Sequence, residues 1–415
     1  MSAAGALHAA GRGLTLRAET IQRLSLWLLM ASSCIAFIEP SPYEAFFVLA
    51  LAVFVVTGLR VTREAMPLTV LLVLYNLGGA ACLIPWLDEQ PSVMFVAISF
   101  YLGITAIFFA LVPLQDADGR LRAIESGAVV AALVATAAAV LGFFDIGGLG
   151  ASLTRYDGSR ATGMFKDPNV LGPYLVAPAA FLFYRLMTGT TRRPVLNLLA
   201  LAFIAFGELL SFSRGAWGDF VAAVVIIVVL CFITARTAAL RRRVVVLCLA
   251  GLAVMAALAA GALAFDKVRA MLIERASFNQ AYDLGESGRF GLQKRSVPLL
   301  LEETNGFGPL KFRAVMGQDP HNVYVNAFAS YGWLGGFAYF ALIAATLWVG
   351  WRCVVQRTPL QVFAIPIWAA LFPQIVQGFQ IDTDHWRHFW MLLGLTWGIA
   401  AANERWLHNR RLASA

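Results

Sequence analysis

His321 is the residue whose type and position best suit acid–base chemistry. It follows Asp319-Pro320, a step that breaks a helix, and it precedes a charge-free run over residues 322–351. An imidazole at the mouth of a membrane span meets both water and membrane-held molecules, and its pKa lies near neutral pH. These features favour a general base. The alternative is a polar interfacial residue that caps the next helix, and position alone leaves both open.

Arg214 lies between two apolar runs, and Glu208 and Asp219 lie close to it within apolar sequence. An ionisable group inside a membrane span costs about 3 kcal/mol on insertion scales, and such groups mark a functional site or an internal ion pair. The alternative to a functional role is therefore a structural pair of Arg214 with Glu208 or Asp219.

Three further cations, Arg160, Lys166 and Arg289, lie in polar stretches, where a solvated side chain needs no explanation. Together with Arg214 they would form one external cluster. Guanidinium groups bind phosphate oxygens through paired hydrogen bonds, so this cluster suits a diphosphate.

Asp382-Thr383-Asp384-His385 presents two carboxylates one residue apart, an arrangement that can hold a divalent ion on a phosphate. A short acidic loop also forms without metal, and we predict no metal site. The five cysteines fall inside or beside apolar segments, so neither disulfides nor a Cys-based zinc site are indicated. No Walker or dinucleotide-binding glycine motif occurs, so we expect no nucleotide-driven step and no cofactor.

The elements that must position these residues are membrane helices. Hydrophobic residues make up 60% of the 415 positions and charged residues only 13%, about half of what a soluble domain carries. This composition, with its long charge-free runs, predicts an all-α polytopic membrane protein with about twelve spans, forming a single integral membrane domain over 1–415. The predicted cores are 24–38, 45–59, 66–87, 91–114, 124–145, 170–186, 195–212, 216–235, 244–265, 332–351, 359–380 and 388–403.

The arginines predict the orientation of these spans. Of the 32 basic residues, 19 are arginines in seven alternate loops, which predicts that these loops and both termini are cytoplasmic. The net charge of +8 therefore reports sidedness, and we predict no nucleic-acid partner. The 19 residues are Arg12, Arg17, Arg23, Arg60, Arg63, Arg120, Arg122, Arg185, Arg192, Arg193, Arg236, Arg241, Arg242, Arg243, Arg352, Arg357, Arg405, Arg410 and Arg411.

The other basic residues concentrate in two external stretches, 146–169 and 266–321. In the first, Asp167-Pro168-Asn169 predicts a turn that starts the sixth span. The second is the large loop between the ninth and tenth spans, and we expect it to carry part of the active site. Near-helical spacing of apolar residues predicts an amphipathic helix over 265–280.

A second helix is predicted over 287–303, and the glycines and proline of 305–309 end it. The run that follows is longer than one span needs. We therefore expect 322–331 to lie along the membrane surface before the chain turns inward at Gly332.

Short motifs follow one another in a specific order along the chain. They are Arg160-x-x-Gly163-x-Phe165-x-Asp167-Pro168-Asn169, Ser211-x-Ser213-Arg214-Gly215, Arg289, Asn305-Gly306-x-Gly308 and His321-Asn322. In this order, with the large external loop before His321-Asn322, residues 150–340 resemble bacterial O-antigen ligases. The same C-terminal module occurs in O-antigen polymerases and in protein O-oligosaccharyltransferases.

The resemblance implies a membrane-embedded, GT-C-like glycosyltransferase that inverts and uses no metal. The implied donor is a glycan on undecaprenyl diphosphate, and the implied acceptor is lipid A–core oligosaccharide at the periplasmic face of the bacterial inner membrane. Arg214 and Arg289 would then stabilise the leaving diphosphate, with His321 as the base. Four further residues are expected to contact the substrates: Arg160, Lys166, Asn169 and Asn322. For Asn322 the alternative is that it orients His321.

Three alternatives remain at this point. A polymerase would use another lipid-linked repeat unit as acceptor, and a protein O-oligosaccharyltransferase would use a protein. The third is a transporter or lipid flippase with twelve spans. Such carriers often consist of two six-span halves with a cytoplasmic connection, whereas the longest loop here is predicted to be external.

Overall fold

The computed structural model describes residues 3–156, 158–263, 285 and 288–414. The amphipathic helix predicted at 265–280 lies outside these residues. The helices are α1 (Ala3–Ala31), α2 (Pro42–Thr57), α3 (Met66–Leu83), α4 (Gln90–Leu111), α5 (Ala117–Phe143), α6 (Gly150–Leu153), α7 (Pro168–Thr188), α8 (Pro194–Leu210), α9 (Arg214–Thr234), α10 (Ala238–Leu263), α11 (Arg289–Glu302), α12 (Phe312–Met316), α13 (Val323–Val355), α14 (Gln361–Gln377) and α15 (Arg387–Ser414).

Two short strands form an antiparallel hairpin between α6 and α7. Strand β1 (Thr154–Arg155) pairs with β2 (Arg160–Ala161), with Thr154 opposite Ala161. Single 3₁₀ turns at Arg63–Ala65, Ile84–Trp86, Val112–Leu114 and Ile146–Gly148 join or extend the helices.

Length and composition confirm a helical membrane protein. Three shorter apolar helices, α2, α8 and α14, accompany the long ones. Because the remaining long helices do not meet the same criteria within the described residues, the count of about twelve spans stays a prediction. In the part of the chain that the structure describes, six helices are long and apolar enough to cross a membrane: Arg63–Trp86, Gln90–Leu114, Ala117–Phe143, Pro168–Thr188, Arg214–Thr234 and Val323–Val355.

The first predicted core, 24–38, extends further than its helix, since α1 ends at Ala31. Ser32 Oγ donates to the Leu29 carbonyl at 2.9 Å, and Ser33 Oγ donates to the Met30 carbonyl at 2.6 Å. These hydroxyls satisfy carbonyl groups that a further helical turn would have used. An apolar run alone did not reveal this local competition.

Helix α13 is broken where the sequence predicted a turn. Gly332 has φ 64° and ψ −170°, a conformation that only glycine adopts readily. The expectation that residues 322–331 lie along the membrane surface stays a prediction. These residues form the cap and first turns of α13, and Tyr324, Ala327 and Ser330 are buried. Their apolar side chains pack inside the protein.

Close packing of α13 against α3 places the start of α13 firmly. A Cβ at Gly78 would lie 2.5 Å from the Gly335 nitrogen, so small residues allow the two backbones to meet. The Tyr75 and Tyr331 rings stack with centroids 4.2 Å apart. The start of α13, which follows the turn that contains His321, is therefore held by two closely packed helices.

The two ends of the bundle differ in how their charges are used. We call the end at which α7, α9, α13 and α15 begin the site end. At the opposite end, Arg120 is only 3% exposed and donates to the Val112 carbonyl at 2.9 Å. Arg185 pairs there with Glu125. Some arginines that the sequence assigned to loops thus also join helices.

Candidate active site

Arg160 fixes the β1–β2 hairpin to the site end. Its Nε donates to the Ser211 carbonyl at 2.9 Å, and its Nη2 donates to Asn169 Oδ1 at 2.7 Å. Ser211 caps the end of α8, and Asn169 lies in the first turn of α7. Arg160 and Asn169, both predicted to contact substrate, therefore also join three segments of the protein.

The start of α7 lies where the sequence predicted it. Asp167 Oδ1 accepts a hydrogen bond from the Asn169 amide at 2.7 Å, and Pro168 is the first helical residue. Lys166 has a different partner, because its Nζ lies 2.5 Å from Glu39 Oε1. Lys166 is thus engaged with the connection between α1 and α2.

Arg214 is the first residue of α9. It follows Ser213, whose hydroxyl accepts from the Ala216 amide at 3.4 Å. The next residue, Gly215, meets the end of α14, since a Cβ there would lie 2.4 Å from Gln377 Nε2. The glycine therefore lets the start of α9 reach the end of α14.

Two carboxylates flank Arg214 along the chain. Glu208 and Asp219 are buried, with 2% and 4% of their surfaces exposed. Both Glu208 side-chain oxygens and Asp219 Oδ2 make no hydrogen bond to the residues that the structure describes. A hydrogen-bonded Glu208–Arg214 pair, one of the two structural alternatives for this arginine, is therefore not formed. The other, a pair of Arg214 with Asp219, stays open.

Arg289 is the first residue of α11, which confirms the helix predicted over 287–303. Its Nη1 donates to the Gln380 carbonyl at 3.1 Å, in the connection between α14 and α15. Arg214 and Arg289 are thus the first residues of two helices that contact the end of α14 and the connection just after it. Amide groups and the dipole at a helix N-terminus favour an anion, which adds to the charge of both arginines.

His321 lies in the turn between α12 and α13, half-buried and with a positive φ of 44°. Its backbone is held from α11. Gln293 Nε2 donates to the Pro320 carbonyl at 3.0 Å and to the His321 carbonyl at 3.3 Å. One side-chain amide therefore holds both peptide groups of this strained turn.

Asn322 is the N-cap of α13. Its Oδ1 accepts from the amides of Tyr324 and Val325 at 3.0 and 3.2 Å, while its Nδ2 donates to Gln293 Oε1 at 3.2 Å. Its own amide donates to Asp382 Oδ1 at 3.1 Å. These contacts support a role in positioning His321, and the predicted substrate contact of Asn322 stays a prediction.

Gln293 is a site residue that the sequence reasoning missed. It lies four residues after Arg289, so the two share one face of α11, and this spacing was the available signal. Its contacts with residues 320–322 are distant in sequence and could not be read from it. Gln293 makes α11 a common support for Arg289 and His321.

The surroundings of His321 lower its pKa. Burial is the largest cause, and the positive charges of Arg289 and Arg313 act in the same direction. The negative charges of Asp319 and Asp167 raise this pKa and partly offset the effect. Arg289 at the start of α11 and Asp167 before α7 therefore both act on the charge of the imidazole. A lowered pKa leaves His321 neutral near pH 7, the form that accepts a proton.

The 382–385 segment supports the turn before α13. Burial and the neighbouring Asp384 raise the pKa of Asp382, although the amides of Asn322 and His321 partly offset this. Asp384 is 2% exposed and accepts from Asn326 Nδ2 at 3.0 Å. The two carboxylates considered as metal ligands therefore hold the backbone and first turn of α13.

The fold and the site define a multi-pass helical membrane protein with a cationic, histidine-bearing site at one end. Residues 198–340 match the family model described as O-antigen ligase. The matched segment contains Arg214, Arg289 and His321. The family comprises glycosyltransferase-like ligases and polymerases and implies lipid-linked glycan substrates. No curated protein matches the chain.

Proposed function

We propose that the protein is an O-antigen ligase. It transfers a glycan from undecaprenyl diphosphate to lipid A–core oligosaccharide and thereby completes lipopolysaccharide. The observation that carries this proposal is the shared support of Arg289 and His321: Gln293, on the helix that Arg289 begins, holds the His321 turn. A cation and a neutral base that are held by the same helix suit glycan transfer from a lipid diphosphate, because the cation can stabilise the diphosphate while the base accepts a proton.

The donor already carries its leaving group, so the reaction needs no cofactor. As the bond between the anomeric carbon and the diphosphate oxygen breaks, negative charge grows on the diphosphate. We assign Arg214 and Arg289 to stabilise that charge, because fixed donors aimed at developing charge contribute most of such catalysis. Arg160 and Asn169 hold the loop beside them through their mutual hydrogen bond.

On the acceptor side, His321 is the base. It takes the proton of the acceptor hydroxyl while that oxygen forms the new bond to the anomeric carbon from the face opposite the diphosphate. The anomeric configuration inverts, and undecaprenyl diphosphate leaves. The lowered pKa of His321 supports this role, since the imidazole must be neutral before the step.

We place the site end at the periplasmic face of the bacterial inner membrane. About twelve spans and cytoplasmic termini accompany this orientation. Residues 266–321 are then the periplasmic loop of a single membrane domain. Support comes from the arginines of alternate loops: Arg120 and Arg185 lie at the end opposite Arg214 and His321.

The purified protein, given the lipid-linked donor, should be assayed with three acceptors: lipid A–core, a second lipid-linked repeat unit and an acceptor protein. We expect product on lipid A–core, and addition of a chelator should leave the rate unchanged. Product on the lipid-linked unit alone would identify a polymerase instead, which the family also contains. Product on the protein alone would identify a protein glycosyltransferase.

A further inference from the structure

An apolar cavity of about 710 Å³ lies within the bundle, away from the arginine–histidine site. Its wall is formed by α1, α2, α4, α5, α7 and α15, and it falls within the size range of small-molecule pockets. Side chains such as Met94, Ile98, Phe181, Met391 and Leu395 line it. Neither Arg214, Arg289 nor His321 does.

Charged residues gather at the rim of this cavity. Lys166 and Glu39 form one ion pair, and Arg387 Nη2 lies 2.6 Å from Glu44 Oε1 in another. These four side chains range from 22% to 54% exposed, so a ligand can reach them from outside. The cavity therefore combines apolar walls with a rim whose two cations, Lys166 and Arg387, are each held by a carboxylate that an anionic group can replace.

Helix α7 separates the cavity from the arginine–histidine site. Val170, Tyr174 and Ala177 line the cavity at helical spacing. The opposite contacts come from Gly172, whose Cβ would lie 2.3 Å from Ala216 of α9, and from Pro173, whose carbonyl accepts from Gln374 of α14 at 3.1 Å. One helix thus faces the cavity on one side and the cationic site on the other.

Two loops connect the rim of the cavity with the arginine–histidine site: the one before α7 and the one before α15. Lys166 at the cavity rim is next to Asp167, which acts on the charge of His321. His385, also at the rim, contacts Asp384 at 3.4 Å, two residues beyond the Asp382 carboxylate that holds the Asn322 amide. The rim is thus linked through Asp167 and through the 382–385 segment to the surroundings of the base.

We propose that this cavity binds the acyl chains of the lipid acceptor, with a headgroup phosphate at Arg387 and Lys166. This inference rests on the proposed function, because transfer between two lipid-anchored molecules requires two lipid sites that converge on one base. The arginine cluster takes the donor diphosphate, and the cavity takes the second lipid. A phosphate would replace Glu44 or Glu39 as the partner of the rim cations.

Ala97→Trp tests the cavity by filling it. Ala97 lines the cavity and is exposed there, so the larger side chain occupies ligand space without displacing the core. The matched control is Ala52→Trp, at an exposed position of α2 that does not line the cavity. Initial rates of the full-length protein are measured with acceptor and donor varied separately.

We expect Ala97→Trp to raise the acceptor KM about tenfold and to leave the donor KM unchanged, whereas Ala52→Trp changes neither. Arg387→Gln should raise the acceptor KM in the same selective way. A raised donor KM with an unchanged acceptor KM would assign the cavity to the polyprenyl donor. Unchanged values for both substrates would also overturn the proposal.

A binding measurement separates this inference from the proposed function. The probes are a pyrene-labelled, acylated and phosphorylated disaccharide and a pyrene-labelled polyprenyl phosphate. We expect Ala97→Trp to weaken binding of the acylated probe about tenfold, but not of the polyprenyl probe. That result without glycan transfer by the wild type would support the cavity and refute the ligase function. Equal binding of the acylated probe to wild type and Ala97→Trp would refute the cavity site.

Discussion

The two sides of α7 use different physical means to hold what they bind. On the α9–α14 side, polar atoms are fixed by directed hydrogen bonds, such as the pair from Gln293 Nε2 to the carbonyls of Pro320 and His321. On the other side, the cavity between α1, α2, α4, α5, α7 and α15 is lined by apolar side chains and carries ion pairs at its rim. Hydrogen bonds depend on direction, whereas apolar burial depends on volume. Substitutions that keep volume but change donor geometry should therefore harm the first side alone.

The largest effect is expected at the two helix-starting arginines. Arg214→Lys and Arg289→Lys keep the charge but remove the paired N–H groups that match a phosphate. We expect kcat to fall about 100-fold or more in each, by analogy with the loss of one fixed transition-state donor. Single-turnover rates of donor cleavage measure this. Arg192→Lys, at an exposed position away from the site end, is the control and should behave as wild type.

Breaking the kink in α13 should be the next largest effect. In Gly332→Ala, the added Cβ would meet the Thr304 carbonyl at 2.9 Å in a backbone conformation that disfavours alanine. We expect the free energy of unfolding to fall by about 2 kcal/mol, measured as a lower Tm in detergent. Gly218→Ala is the control, because nothing lies within 4 Å of its Cβ in helix α9. Equal Tm values for both variants would contradict the importance of the kink.

Gln293→Ala should disturb the position of His321 and leave the binding of the donor unchanged. Loss of the amide frees the carbonyls of Pro320 and His321, so the imidazole samples unproductive positions. We expect kcat to fall about tenfold while the donor KM stays unchanged. Gln318→Ala, at an exposed position, serves as the control. A purely structural role for Gln293 would instead reduce the amount of folded protein and leave kcat per folded molecule intact.

The smallest effect concerns the pH profile. Because the pKa of His321 is lowered, the acid limb of kcat/KM should lie below pH 6.5, with activity gained as pH rises through that pKa. Arg313 lowers this pKa and Asp319 raises it. Arg313→Gln should therefore move the limb up, and Asp319→Asn should move it down, each by about 0.3 pH unit at low salt. Shifts of the same sign would show that another group controls the limb.

Much of the helical organisation could be predicted from sequence, because membrane spans follow from local hydropathy. The start of α7 was predicted well, since Asp167-Pro168-Asn169 is a local signal, and the helix predicted over 287–303 corresponds to α11. The end of α1 was not predicted, because the hydroxyls of Ser32 and Ser33 bind helix carbonyls that backbone amides would otherwise use.

The sequence supplied the candidate residues, whose roles stay predictions, but not the contacts between them. The order of the motifs indicated Arg289 and His321, yet the role of Gln293 depends on contacts with residues 27 and 28 positions away. Asn322 was expected to orient His321 or to contact substrate. Its cap of α13 was not predicted, and its substrate contact stays a prediction. The buried hydrogen bond from Arg120 to Gln22 Oε1 likewise joins helices that local sequence treats separately.

The most direct test of the central claim compares His321→Ala with His408→Ala in the purified protein. Both lose one imidazole, but His408 is exposed at the far end of α15. With undecaprenyl-diphosphate-linked glycan and lipid A–core in detergent, and without an ion gradient, glycosylated acceptor and released undecaprenyl diphosphate are measured together. We expect equal amounts of the two products from wild type and His408→Ala, and a rate at least about 100-fold lower from His321→Ala. A His321→Ala rate equal to that of wild type would contradict the assignment of His321 as the base.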